Sequence, residues 1–287
     1  NIPAKPWGVH SISASDASSH TASVSFSVTP GFTLNPSSIV SGNQVNANGL
    51  GFSAGATVSV YIDGTVINFN SGTTDAAGSF TLNNVLIPTL SGGNHEFQIR
   101  DSTGKSNSII FTVTPKIETQ ISAAISGTTI NVVGKGFGVN KNITISFNSV
   151  KVSIPASTAT TDSTGNFSTS FVVPTSSGGV HMITAGDGTF SANQDFTVIA
   201  NSTLNIVSGT VGTTTVLSGN GFGSKANVQI KFDGNLIATV TVDVNGTFSY
   251  KLVVPESATG SHIITATDGT RNITYNFSVS AKTLINP

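Results

Sequence analysis

The chain has no cysteine, one tryptophan, one methionine and few charges, with 12 basic and 13 acidic residues in 287. Each shortage excludes something. Without cysteine there is no disulfide, no thiolate-bound zinc and no thiol nucleophile, so packing and backbone pairing hold the fold by themselves. A charged share of 9% is roughly a third of that in ordinary globular chains, and the nearly balanced signs form no cluster. That leaves no electrostatic footprint for DNA, RNA or anionic lipid. Apolar runs stop after a few residues, as at Val85, Leu86 and Ile87, too short to cross a membrane as a helix. The chain starts at Asn1 without a basic and apolar leader, as expected of a processed or excised sequence.

In place of charge there are 79 Ser and Thr, 26 Asn, 30 Gly and 17 Phe, and the mean hydropathy of +0.17 excludes a disordered polyelectrolyte. These residues recur in order. Gly49-Leu50-Gly51-Phe52 returns as Gly134-Lys135-Gly136-Phe137 and as Gly219-Asn220-Gly221-Phe222. Asp75, Gly78 and Phe80 answer to Asp162, Gly165 and Phe167, then to Asp243, Gly246 and Phe248. Pro88, Pro174 and Pro255 each precede a histidine, His95, His181 or His262, whose alternating run ends at Asp101, Asp187 or Asp268. A last run starts near Phe111, Phe196 or Phe277. The N-terminal residues repeat only the end of this pattern, with Pro3, Gly8, His10, Asp16 and Phe26 in the places of Pro88, Gly93, His95, Asp101 and Phe111. Leu284 to Pro287 resembles Thr33 to Pro36, the beginning of a unit.

Short alternating runs, such as Val58, Val60 and Ile62, have the period of half-buried strands. Asp63-Gly64, Asp233-Gly234 and Asn245-Gly246 are hairpin signals, and no stretch supports a helix longer than a turn. The class is all-β. The expected organisation is a partial repeat over 1–30, full sandwiches over 31–115, 116–200 and 201–281, and a further start or tail over 282–287. Phe52, Phe80, Phe137, Phe167, Phe222 and Phe248 are assigned to the cores, and the glycine before Phe52, Phe137 and Phe222 to a bulge or tight bend. Linkers near Thr114 to Glu118 and Ile199 to Thr203 are short, which predicts a semi-rigid rod of beads on a string.

Chemistry is thin. A histidine repeated at one position has no reason to build a single active site, so a structural role, such as bonding a backbone group at a sandwich end, is expected of His10, His95, His181 and His262. The dispersed acids rarely stand together, whereas calcium wants several carboxylates. No catalytic, cofactor or metal residues are assigned, and the chain is read as non-enzymatic. Six Asn-x-Ser/Thr triplets offer N-glycosylation at Asn142, Asn166, Asn201, Asn245, Asn272 and Asn276, although roughly seven would arise by chance in this composition.

The pattern Gly-x-Gly-Phe, Asp-Gly, Gly-x-Phe, Val-Pro and Gly-x-His resembles the bacterial and archaeal immunoglobulin-like tandem repeats, the IPT/TIG-like type among them, over essentially the whole chain. The resemblance implies tandem β-sandwiches and a structural role outside the cell, in a surface layer, adhesin, stalk or filament. The partial repeat is then either the end of a unit begun upstream in a longer array, or a donor hairpin joining subunits head to tail. In the second case Ile12, Ala14, Val24, Phe26 and Val28 form intersubunit strands, and the partner is another copy in a homopolymer. Cell-surface glycans are the other expected partner, with Trp7 the notable aromatic; the alternative function is an adhesive or glycan-binding array. A third reading is a non-catalytic appendage of a secreted enzyme.

Overall fold

The computed structural model describes residues 2–69 and 72–281, so the comparison of residues 282–287 with a unit start lies outside the described residues. A hairpin opens the chain, β1 (Gly8–Ser15) and β2 (Thr21–Val28), paired antiparallel from Gly8 opposite Val28 to Ser15 opposite Thr21. It forms a two-stranded sheet of its own.

The first full unit follows at once: β3 (Gly31–Asn35), β4 (Ser38–Val40), β5 (Gln44–Leu50), β6 (Thr57–Ile62), β7 (Thr65–Val66), β8 (Gly72–Thr73), β9 (Phe80–Leu86), β10 (Gly93–Asp101) and β11 (Ser106–Thr114). One sheet has the order β3-β5-β9; the other runs β4-β11-β10-β6-β7, with β8 also on β6. Every pairing is antiparallel except β4 with β11, which is parallel. The next two units repeat the plan, each with a three-stranded and a five-stranded sheet. Among the described residues the one helical segment is a 3-10 turn, Ala156–Thr158. The molecule is a tandem series of immunoglobulin-like β-sandwiches.

Alternation produces this arrangement. In β6, Val58, Val60 and Ile62 are buried while the residues between them are not, so one face turns to the other sheet. Each unit has its own hydrophobic cluster, and each is centred on a pair of phenylalanines packed edge to face: Phe52 on Phe80, Phe137 on Phe167 and Phe222 on Phe248, with centroids 5.2, 5.3 and 5.3 Å apart. The double glycine before the first of each pair now has two reasons. A Cβ on Gly134 would lie 2.0 Å from the Phe167 ring, so the first glycine makes room for the aromatic pair. The second, Gly136, has φ +71°, and a Cβ there would stand 2.9 Å from the Thr114 carbonyl of the incoming chain.

Two readings are revised. Asp63-Gly64 and Asp233-Gly234 do close hairpins, with both residues at positive φ. Asn245-Gly246 does not. It lies in a turn whose flanking strands, Asn235–Thr241 and Phe248–Val253, belong to different sheets, so the chain crosses the sandwich there. The linkers also shrink: only Pro115 separates β11 from the next strand, Lys116–Thr119, and only Ile199 and Ala200 separate Ser191–Val198 from Asn201–Leu204.

Candidate functional site

The repeated polar positions serve the ends of the sandwiches. Each repeated imidazole donates from Nε2 to the carbonyl four residues earlier: His10 to Pro6, His95 to Ser91, His181 to Ser177 and His262 to Ala258, at 2.7–2.9 Å. In the full units Nδ1 meets the turn after the β6 strand or its counterpart, at Asp63 and Asp233 (2.6 Å each) and at Asn148. The same side chain accepts the next N–H of the histidine strand, from Glu96, Met182 or Ile263. Between a carbonyl and a carboxylate, His262 needs both N–H groups, and its hydrogen bond to Asp233, then that to Ala258, pushes its pKa above the ordinary 6.5. Asp233 is pulled below 3.8 by the same bond and by the Ile263 N–H. In the second unit the partner of Nδ1 is the Asn148 amide nitrogen, an uncharged group in place of the carboxylate.

Asp101, Asp187 and Asp268 fold their turns by accepting N–H groups two to four residues on, through Oδ1. Through Oδ2 each also takes the N–H of the residue after the Gly-x-Gly-Phe bend, Ser53, Gly138 or Gly223, at 3.0, 2.6 and 2.8 Å. Burial pushes these carboxyls up, but the backbone donors outweigh it and hold them below 3.8. Their oxygens are thus occupied as turn anchors. Among the described residues no three His, Asp or Glu side chains gather in a metal-binding group, and no helix is long and apolar enough to cross a membrane.

Sequence reading missed the joints between units. In each, a backbone N–H three residues before the histidine donates to the carbonyl of the bend phenylalanine in the following unit: Trp7 to Phe52, Gly92 to Phe137, Gly178 to Phe222, at 2.8–2.9 Å. A side chain from the last turn of that following unit then closes over the donor. Lys105 lies 3.5 Å above the Trp7 ring, Phe190 stands 3.2 Å from where a Cβ on Gly92 would be, and Arg271 donates to the Gly178 carbonyl while pairing with Asp268 at 2.9 Å. Three joints share one geometry and use three different side chains.

The expected intersubunit positions fall together. Cross-strand pairing puts Ile12 opposite Val24 and His10 opposite Phe26, with Ala14 and Val28 on the same face. Ile12 and Val24 are 48% and 63% exposed, whereas their counterparts Phe97 and Ile109 are buried and half-buried. Of the triplet asparagines, Asn142, Asn245, Asn272 and Asn276 are exposed and Asn166 and Asn201 are half-buried; Asn166 Nδ2 donates to Thr164. Tyr275 is engaged with Ser202, and Tyr250 packs on the third core.

No protein-family model matches the chain, and no curated protein matches it. Among solved structures, it is similar to one solved with a xylogluco-oligosaccharide (17% identity, 85% of this chain and 59% of that one, TM-score 0.31). It is similar also to FdeC, an Escherichia coli adhesin (16%, 88% and 97%, TM-score 0.24), and to a tetra-tandem repeat from the extending region of a large adhesion protein (19%, 98% and 84%, TM-score 0.30). The chain spans 59% of the first of these. Likeness at such scores says nothing of what this chain binds.

Proposed function

We propose that the chain is a non-catalytic structural segment of an extracellular assembly, a surface layer, stalk or filament, in which immunoglobulin-like units are joined end to end and β1 and β2 connect neighbours by strand complementation. The observation that supports this most is the joint built three times over, at Trp7, Gly92 and Gly178, from the same backbone bond. Repeating one joint at nearly constant spacing generates length and a fixed relation between neighbours, which a scaffold needs and a pocket enzyme does not. A surface rich in Ser, Thr and Asn and poor in charge suits contact with neighbouring modules, and the exposed triplet asparagines are candidate glycan carriers.

A glycan-binding array would need an open aromatic platform. Trp7 is the exposed tryptophan and Lys105 already covers its ring, so no observation favours that reading. Electron microscopy of native material with intact-mass measurement is the test. Filaments or lattices at the cell surface support the proposal, and a dispersed monomer with enzymatic turnover removes it. Peptide mass analysis that finds all six asparagines unmodified removes the glycan part alone.

A further inference from the structure

The face of β1 and β2 carries unfilled positions whose counterparts are filled three times in the same chain. In the first full unit, β10 pairs on its outer edge with β6, placing Phe97 opposite Ile62 and Ile99 opposite Val60, and β11 pairs in parallel with β4 through Val113 and Ile39. The corresponding edges of β1 and β2 pair with no described strand. His10 Nδ1 hydrogen-bonds to no described residue, where His95 and His262 have an aspartate and His181 an asparagine. Asp16 Oδ2 takes only the neighbouring His20 side chain, where Asp101, Asp187 and Asp268 take the N–H after a Gly-x-Gly-Phe bend.

A groove continues the pattern. Next to the hairpin, about 890 Å³ is open along Gly31, Thr33, Asn48 and Leu50. One unit later the matching residues, Lys116, Glu118, Val133 and Lys135, line a gap of only about 60 Å³, whose other wall is Val40, Ser41 and Asn43 of the preceding unit.

We propose that this face and groove seat the first part of another unit of this same repeat, an open sandwich lacking its own last two strands. The occupant lays one strand antiparallel on β1 and one parallel beside Val28. It sets an aspartate or asparagine on His10 Nδ1 and the Ser11 N–H, offers a backbone N–H to Asp16 after a Gly-x-Gly-Phe bend, and fills the groove with the turn that follows its parallel strand. This deepens the scaffold reading above by naming what the terminal joint takes. The three complete units of a second copy already hold their own last two strands, so they have no vacancy for this hairpin.

The test extends the full chain at its start with a copy of residues 31–86 joined to Ile2, reproducing the order Leu86 then Ile87. Hydrogen exchange of the outward Ser11, Ser13 and Ser27 amides is expected to slow by about a hundredfold or more against the unextended chain, and a Val60→Asp change within the added copy abolishes the effect. Ile12 and Ala14 are smaller than Phe97 and Ile99, so a second extended chain carries Ile12→Phe and Ala14→Ile to restore the packing volume. Unchanged exchange in both extended chains overturns the proposal. So does a concentration-dependent dimer of the unextended chain that Ile12→Lys abolishes, since the face then takes its own copy. Either failure leaves the scaffold reading standing, because that reading is decided by imaging native material.

Discussion

Two glycines separated by one residue do different work in each unit, and substitution of the first tests the room it leaves for the aromatic pair. Gly134→Ala forces a methyl into the Phe167 ring and is expected to cost about 1–3 kcal/mol in urea unfolding of the full chain, as overpacked cores do. Gly31→Ala, with open space around the new Cβ and no positive φ, is the matched control and should stay within about 0.5 kcal/mol of the parent. The His262 and Asp233 clasp makes a prediction about pH. His262 is raised, so its contribution is complete below 6.5 and is lost as pH rises through the higher folded value; Asp233 is lowered, so its contribution is complete above 3.8 and is lost as pH falls through the lower folded value. The clasp therefore acts across a window wider than 3.8 to 6.5. Asp233→Asn copies the second unit's arrangement, and a proton NMR titration should show the His262 midpoint falling toward 6.5; a midpoint that does not move would remove Asp233 as the cause.

The joints are where neighbouring units meet as elements. Arg271→Ala removes both the bond to Gly178 and the ion pair with Asp268, while Asp268 keeps its backbone donors. The third unit should remain folded while its position against the second loosens. Because the chain has no native cysteine, single cysteines introduced in the two units allow spin-label distance measurements, and a distribution no broader than the parent's would show that Arg271 does not brace the joint. Sandwich elements were legible because side chains carried them: alternation marked β6, and repeated Phe and His marked cores and strand ends. The joints were not. Their common bond runs between backbone atoms; Gly92 and Gly178 are both glycine, where a Cβ would strike the Gly136 or Gly221 carbonyl, but the third donor is Trp7, and Lys105, Phe190 and Arg271 above them have no side-chain chemistry in common. Asn245-Gly246 misled for a related reason, since a dipeptide fixes a local turn but not which sheet receives the next strand.

At the scale of the whole molecule, three separate hydrophobic clusters predict three units of stability coupled only through neighbours. Phe137→Ala is expected to destabilise the second unit by about 3–5 kcal/mol. Calorimetry should then show one transition moving to lower temperature while the others stay within a few degrees. A uniform shift of the entire melting profile would instead mean that the joints make the array one cooperative body.

The direction of the joints has a consequence for synthesis. Arg271 reaches back 93 residues to Gly178, and it sits in the turn between the last two strands of its unit. During growth from the N-terminus, the clamp on a finished unit cannot close until the next unit has nearly all emerged. Each locked joint is therefore a receipt for the unit ahead of it, and a growing array stiffens one step behind the ribosome.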